Sequence, residues 1–346
     1  MNYNEKREQR YMVKLNELMD ALPNICRTFF IGIENRTSVR TRIAYAYDLK
    51  LFFYYLIVKL NKSHPITYET LDGLSSTDIE EYLHWLSGYE IDGVYYANDE
   101  SAKSRKLSSL KTFYKYNLKK GNITTNPLFA VENIKIHEKE IIRLNPDEKD
   151  CLVETVITGN GLTKKQKESF EKNKIRDYAI LITFLETGMR ISELTGIDID
   201  DIEFNQHKIN IIRKGGNYAA IYISDRNEEI LKEYIELYRS PNVLDDEKAL
   251  FITLAGRRMS VRAIEAMIKK YARTTALPKI TPHKLRATYG TDLYNITGDI
   301  SLVAENLGHK SINTTKNRYA GVSDTRKRLS RNILEDADKN KNNSWQ

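Results

Sequence analysis

In one stretch of this 346-residue chain the apolar spacing leaves the helical period. Residues 208–213 and 218–223 are rich in β-formers, and Lys214-Gly215-Gly216-Asn217 joins them. Two such runs around a glycine turn predict an antiparallel hairpin. Most of the remaining chain reads as helix. The fold class expected is therefore mainly α with a small antiparallel β-sheet.

The helices can be placed by period and cap. Residues 1–30 predict an amphipathic helix with Met12, Leu15, Met19 and Leu22 on one side, stopped near Pro23. A long helix follows, capped by Thr37 or Ser38 and carrying Tyr45, Leu49, Phe52, Phe53 and Leu56. Ser75-Ser76-Thr77-Asp78 opens another, with Ile79, Tyr82, Leu83 and Leu86. Residues 90–98 read as a loop. A helix over 101–119 ends at Gly121, with Leu107, Leu110, Phe113 and Tyr114 as its apolar stripe. Its other face carries Lys103, Arg105, Lys106 and Lys111, which suits either phosphate tracking or plain solvation. Mixed charge without a period over 132–146 marks a linker. Beyond it, the strongly apolar helix 173–187 is expected to be buried, and further helices fall at 227–239, 260–275, 283–295, 299–307 and 323–336. The division expected is a helical extension over 1–30, a helical domain over 31–131, the linker, a mixed domain over 147–336, and a disordered polar tail over 337–346.

Composition excludes some functions. Charged residues at 29% and the absence of any apolar run near the roughly 20 residues of a membrane span argue for a soluble, cytoplasmic protein without membrane contact. The N-terminus has no apolar h-region, so export is not expected. Two cysteines, Cys26 and Cys151, make neither a disulfide framework nor a metal site. No Cys/His cluster has metal-ligand spacing, and no Gly-rich loop precedes a Lys-Ser or Lys-Thr pair, so neither metal nor nucleotide cofactor is expected. The net charge of +7 permits a polyanionic partner without requiring one.

The residues that bear chemistry lie in order through the C-terminal half. Arg190 sits in Thr-Gly-Met-Arg-Ile-Ser-Glu-Leu, with Glu193 placed to hold its guanidinium. Lys214 is at the hairpin turn. His283 and Arg286 sit in Thr-Pro-His-Lys-Leu-Arg, three apart at a helix start, where free N–H groups and partial positive charge favour a phosphate. His309 follows Leu-Gly, and Tyr319 comes ten residues later. Each piece alone has an ordinary structural explanation. Together they suit metal-free attack on a phosphodiester, with arginines on the non-bridging oxygens and a phenol as nucleophile.

In that order the segments resemble the tyrosine recombinases, or phage integrase family, over nearly the whole chain and most of all its Xer branch. Thr-Gly-Met-Arg-Ile-Ser-Glu-Leu, Arg-Lys-Gly-Gly, Thr-Pro-His-Lys-Leu-Arg and Leu-Gly-His-Lys-Ser-Ile-Asn-Thr-Thr carry the resemblance, with Ile175-Arg176-Asp177 as a weaker addition. The resemblance implies a helical core-type DNA-binding domain over 31–131 and a catalytic domain over 147–336. It implies Tyr319 as nucleophile, forming a 3′-phosphotyrosine and freeing a 5′-hydroxyl. Arg190 and Arg286 would hold the scissile phosphate, Lys214 would protonate the leaving oxygen, and His283 would act as base. His309 would hydrogen-bond the phosphate, and Glu193 would take the supporting acidic position.

The implied partners are double-stranded DNA with inverted-repeat half-sites and three further copies of the chain on two synapsed sites. The reaction would pass through a Holliday junction. An accessory protein such as a DNA translocase or an excisionase is compatible with this. Helix 323–336 would pack into a neighbouring protomer or onto its own domain. Two details depart from the family pattern: the His309–Tyr319 interval is ten where nine is commoner, and Ala-Thr-Tyr follows Arg286. Two rival functions share the features, a catalytically silent DNA-binding protein of the same fold and a type IB topoisomerase. The full residue set argues against the first and the helical N-terminal domain against the second.

Overall fold

The structure is a computed structural model that describes residues 3–62, 65–137, 143–213, 216–275, 277, 280–309, 312 and 315. The chain divides into two compact units, residues 1–139 and 140–346.

The first unit is helical. Its helices are α1 (Tyr3–Asp20), α2 (Ile25–Gly32), α3 (Val39–Val58), α4 (Tyr68–Asp72), α5 (Ser76–Trp85) and α6 (Glu100–Lys120). The expected stop near Pro23 falls between α1 and α2: the chain leaves the helix over residues 21–24, and the rest of the expected 1–30 segment forms a second helix. Both contribute to the same core as the rest: Leu15, Phe29 and Phe30 are buried with Phe52, Phe53, Tyr82 and Phe113. The rings meet edge to face, Phe29 on Phe113 at 5.2 Å and Phe52 on Tyr82 at 5.1 Å. Ser38 caps α3 by accepting from the N–H of Thr41, and Ser75 and Asp78 form a reciprocal capping box on α5.

Residues 90–98, expected as a loop, contain a two-stranded hairpin: β1 (Tyr89–Ile91) pairs antiparallel with β2 (Val94–Tyr96). Asp92 and Gly93 supply the turn, both at positive φ (50° and 76°), as a tight two-residue turn of this hand requires. Tyr89 stacks on Trp85 at 4.2 Å and on Tyr96 at 5.4 Å. Aromatic packing thus stabilises a strand pair too short to stand alone.

The second unit is mixed. It has α7 (Pro146–Thr158), α8 (Lys164–Thr187) and α9 (Ile191–Leu194), then a three-stranded antiparallel sheet in the order β3-β4-β5. The strands are β3 (Ile202–Glu203), β4 (Lys208–Ile212) and β5 (Tyr218–Tyr222), with Ile209 opposite Ile221. Next come α10 (Asp225–Tyr234), continued by a π-helical turn over Ile235–Arg239, and α11 (Ser240–Asn242). The unit continues through α12 (Val261–Thr274), α13 (Pro282–Thr297) and α14 (Ile300–Leu307). The expected helix over 323–336 lies outside the described residues. Helix α8 starts nine residues earlier than its apolar pattern does, because Thr163 and Gln166 form a capping box at Lys164. Its second half is buried through Ala179, Ile180, Leu181, Ile182 and Phe184, among α7, α10 and α13.

Among the described residues of this unit, the Asp177 side chain is fully buried. The Asp177 carboxylate receives Arg176 Nη2 at 2.7 Å, Lys270 Nζ at 3.2 Å and the Tyr271 hydroxyl at 2.7 Å. Two cations and a phenol satisfy it, as a buried carboxylate requires. Among the described residues no helix is long and apolar enough to cross a membrane, and no group of three His, Cys, Asp or Glu side chains could hold a metal ion.

Candidate active site

The site is built around the end of α14. Asp299 caps the start of this helix, accepting from the N–H groups of Ser301 (2.7 Å) and Leu302 (3.1 Å). Gly308 ends it in the left-handed conformation. The last carbonyls of a helix have no partner within it and carry its partial negative charge. Here arginines take them in sequence. Arg213 Nη1 donates to Glu305 O at 2.9 Å and Nη2 to Asn306 O at 2.9 Å. Arg286 Nη2 donates to Leu307 O, and Arg190 Nη2 to Gly308 O at 3.0 Å.

Each arginine arrives for a local reason. Buried α8 ends at Gly188, whose φ of 58° turns the chain out of the helix. Met189, 1% exposed, anchors the next step inside the core, and Arg190 follows in extended backbone as the N-cap of α9. The Glu193 carboxylate accepts the Arg190 N–H at 2.7 Å and its Nη1 at 2.8 Å. Glu193 is almost wholly buried and the Arg190 side chain about one third exposed, so the pair has a fixed base and an accessible face. The bonds to Glu193 Oε1 and Gly308 O use two of the five N–H donors on the Arg190 guanidinium.

Arg286 lies one turn into α13, which opens with Pro282 after Thr281; the Thr281 side chain makes no capping bond. It is 4% exposed, and its Nη1 donates to Gly188 O at 2.7 Å. Helix ends α8 and α14 are thereby fastened to one guanidinium. A Cβ on Gly188 would lie 2.8 Å from Tyr289 Cγ, so the close approach of α13 requires a glycine there.

His309 is held at both ends. Its N–H donates to Ala304 O at 2.9 Å, and Nδ1 lies 2.7 Å from Thr315 Oγ1. His283 is exposed on α13, one turn before Arg286. Arg190, Glu193, Arg286 and His309 are thus collected at one helix end. Lys214 and Tyr319 lie outside the described residues. Tyr289, by contrast, is half-buried, and burial raises its phenol above the ordinary value, partly opposed by Arg286.

Arg213 was not singled out by sequence. It lies in Arg-Lys-Gly-Gly beside Lys214, and only the fold shows that its side chain reaches α14. On α6, the four basic residues expected to track phosphates, Lys103, Arg105, Lys106 and Lys111, all have protein partners. Arg105 is exposed yet pairs with buried Asp48, which also accepts from Ser109 Oγ at 2.7 Å. Lys103 bonds Ser87 Oγ, and Lys111 bonds Val131 O at 3.0 Å and Asn133 Oδ1 at 2.9 Å. Lys106 is turned inward rather than out: it is 8% exposed, with its ammonium 2.9 Å from Asn98 Oδ1. Desolvation lowers its pKa.

The fold is shared with a site-specific recombinase and an integrase of known structure. It matches the XerH site-specific recombinase bound to difH substrate in its pre-cleavage complex, with a TM-score of 0.61 at 22% identity over 86% of this chain and 79% of that one. It also matches a lambda integrase dimer bound to a COC′ core site, with a TM-score of 0.63 at 16% identity over 88% and 94% of the two chains. In sequence, the tyrosine recombinase XerC of Caldanaerobacter subterraneus subsp. tengcongensis is 31% identical over 92% of this chain and 90% of its own. The tyrosine recombinase XerS of Streptococcus mutans is 27% identical over 89% and 95%. The profile of the phage integrase family matches residues 118–326. The chain belongs to the phage integrase family and is a tyrosine recombinase of its Xer-like branch.

Proposed function

We propose that this recombinase cuts and rejoins double-stranded DNA at sites made of inverted-repeat half-sites, with Tyr319 as nucleophile. The phenolate oxygen of Tyr319 bonds to phosphorus and the bond to the 5′-oxygen breaks, leaving a 3′-phosphotyrosine. The phenol proton passes to His283, and Lys214 gives a proton to the leaving 5′-oxygen. Arg190 and Arg286 hold the non-bridging oxygens as negative charge builds on them, and His309 hydrogen-bonds the same phosphate. Glu193 keeps Arg190 in place. The reverse attack, by a 5′-hydroxyl of the partner duplex, exchanges strands and gives a Holliday junction. The phosphotyrosine conserves the energy of the phosphodiester, so no nucleotide triphosphate is consumed.

The observation that carries this reading is the convergence of Arg190 and Arg286 on the successive carbonyls of Gly308 and Leu307, directly before His309. Two guanidiniums that reach adjacent carbonyl oxygens at one helix end are spaced to share one phosphate. Four protomers act on two synapsed sites in the cytoplasm. Lys103, Arg105 and Lys111 add phosphate contacts from α6. Arg105 is the most available, since its side chain is 49% exposed while paired with Asp48.

Covalent capture tests the proposal. Purified protein is incubated with nicked DNA from its source organism, adducts are trapped in denaturant, and the attached ends are sequenced beside a Tyr319→Phe control. Adducts at one discrete site, absent from the control, are expected. Adducts spread without sequence preference would indicate a topoisomerase, and adducts undiminished in Tyr319→Phe would remove that residue from the role.

A further inference from the structure

The β4–β5 turn and the end of α14 are joined by one side chain. The backbone of Arg213 closes the turn: its N–H donates to Asn217 O at 2.8 Å, and its carbonyl accepts from the Gly216 N–H at 3.1 Å. Its side chain then leaves the hairpin and spans two carbonyls of α14, those of Glu305 and Asn306. The fit is close. A Cβ on Gly308 would lie 2.7 Å from Arg213 Cζ and 2.9 Å from Cδ, so the guanidinium rests directly on the residue before His309.

We infer that Arg213 is a positioning residue for the leaving-group step: it fixes the turn that carries Lys214 to the helix end that carries His309 and receives Arg190. The inference rests on the reading of Lys214 as general acid. Proton transfer needs the donor within hydrogen-bond reach of the leaving oxygen, and a lysine on a two-strand hairpin has a long, rotatable stem. The β3-β4-β5 sheet and its core residues hold the strands, but without a tie at the turn end the base of that stem would be loose relative to the phosphate. The planar guanidinium removes this freedom, because its two donors fix direction as well as distance. The helix end adds a charge match, since a cation is favoured against its terminal carbonyls. A capping role alone would require only the contact with α14. The additional closure of the Lys214 turn by the same residue is what points to positioning.

The test varies the leaving atom. Suicide substrates are prepared with oxygen or with sulfur at the 5′-bridging position of the scissile phosphate. With oxygen, the P–O5′ bond breaks as the oxygen takes a proton from Lys214. With sulfur, the P–S5′ bond breaks and the group departs as a thiolate; a thiol ionises near about 8.5, so no acid is needed. Single-turnover adduct formation is measured for the parent, Lys214→Ala, Arg213→Ala and Arg213→Lys. On oxygen, Arg213→Ala is expected to lose about 100-fold, the lower range for loss of acid–base assistance. On sulfur, both alanine variants are expected to return to within about threefold of the parent. Arg213→Lys reaches one carbonyl instead of two and shows the same pattern to a smaller degree. It also decides the question if Arg213→Ala fails to fold.

Sulfur rescue of Lys214→Ala without rescue of either Arg213 variant would overturn the inference and leave Lys214 as the acid. Failure of sulfur to rescue Lys214→Ala would overturn the acid assignment, and the positioning role with it. Parent-like rates for both Arg213 variants on oxygen would overturn the inference directly.

Discussion

Replacing Gly188 with alanine tests whether the helix ends around Arg286 are packed as described. Gly188 has a φ of 58°, and a side chain there costs roughly 1–2 kcal/mol for the left-handed backbone alone. The added Cβ would also overlap the Tyr289 ring, 2.8 Å from Cγ and 2.9 Å from Cε1. A rigid aromatic ring held between α13 and α14 cannot step aside freely, and overpacking of this kind costs about 1–3 kcal/mol more. The sum is about 2–5 kcal/mol. For a unit of about 200 residues, each kcal/mol lowers Tm by about 2–4 °C, which gives a fall of about 4–20 °C. Gly216→Ala is the control within the same unit. Gly216 has a φ of 82° but nothing within 4 Å of its Cβ position, so only the backbone cost applies.

The assay is thermal unfolding of both variants beside the parent, followed by adduct formation well below the lowest Tm. Because Gly188 O accepts from Arg286, a shifted carbonyl also misplaces the phosphate clamp, and cleavage is expected to fall by about 100-fold. Gly188→Ala melting no lower than Gly216→Ala would refute the packing of Tyr289 on Gly188 and the argument built on it.

Three further outcomes follow from particular residues. Asp177→Asn removes the buried carboxylate bonded to both Arg176 and Lys270; the second unit is expected to lose about 3–5 kcal/mol, and a loss under about 1 kcal/mol by denaturant titration would contradict the buried-charge account. The N–H groups of Thr125, then of Thr124, hold the Asp72 carboxyl below its usual 3.8, so its stabilisation is fully present above that value and is lost as pH falls through the lower folded value. The stability gap between parent and Asp72→Asn should therefore close below about pH 3.8, and a gap constant with pH would contradict this. Tyr289→Phe should retain adduct formation, since burial disfavours its phenolate; loss of adducts in that variant would implicate Tyr289 instead of Tyr319.

Local chemistry was legible in the sequence where local rules decide the outcome. The caps at Ser38 and Ser75, the helix stops at Gly121 and Gly188, and the hairpin of β4 and β5 all follow from residues within a few positions of one another. The hairpin at Asp92-Gly93 obeyed the same rules, but its signal was masked by strands only three residues long. The partners of charged residues were not legible. The face of α6 reads as a phosphate track, yet Arg105 pairs with Asp48, 57 residues away, and the largely buried Lys106 bonds half-buried Asn98. Arg213 illustrates the same limit: its spacing marks a turn, while its two carbonyl partners lie more than 90 residues on. Sequence order identified Arg190, Glu193, Arg286 and His309, and only folding shows that a single helix end collects them.

The most direct test of the central claim is to identify the residue that carries the DNA. A nicked suicide substrate containing the enzyme's own site traps the covalent intermediate; nuclease and protease digestion then leave a peptide bearing a short nucleotide remnant for mass spectrometry. A 3′-phosphate ester on Tyr319 in the Arg318-Tyr319-Ala320-Gly321 segment is expected. A remnant on any other residue, or a 5′-linked remnant on Tyr319, would contradict it.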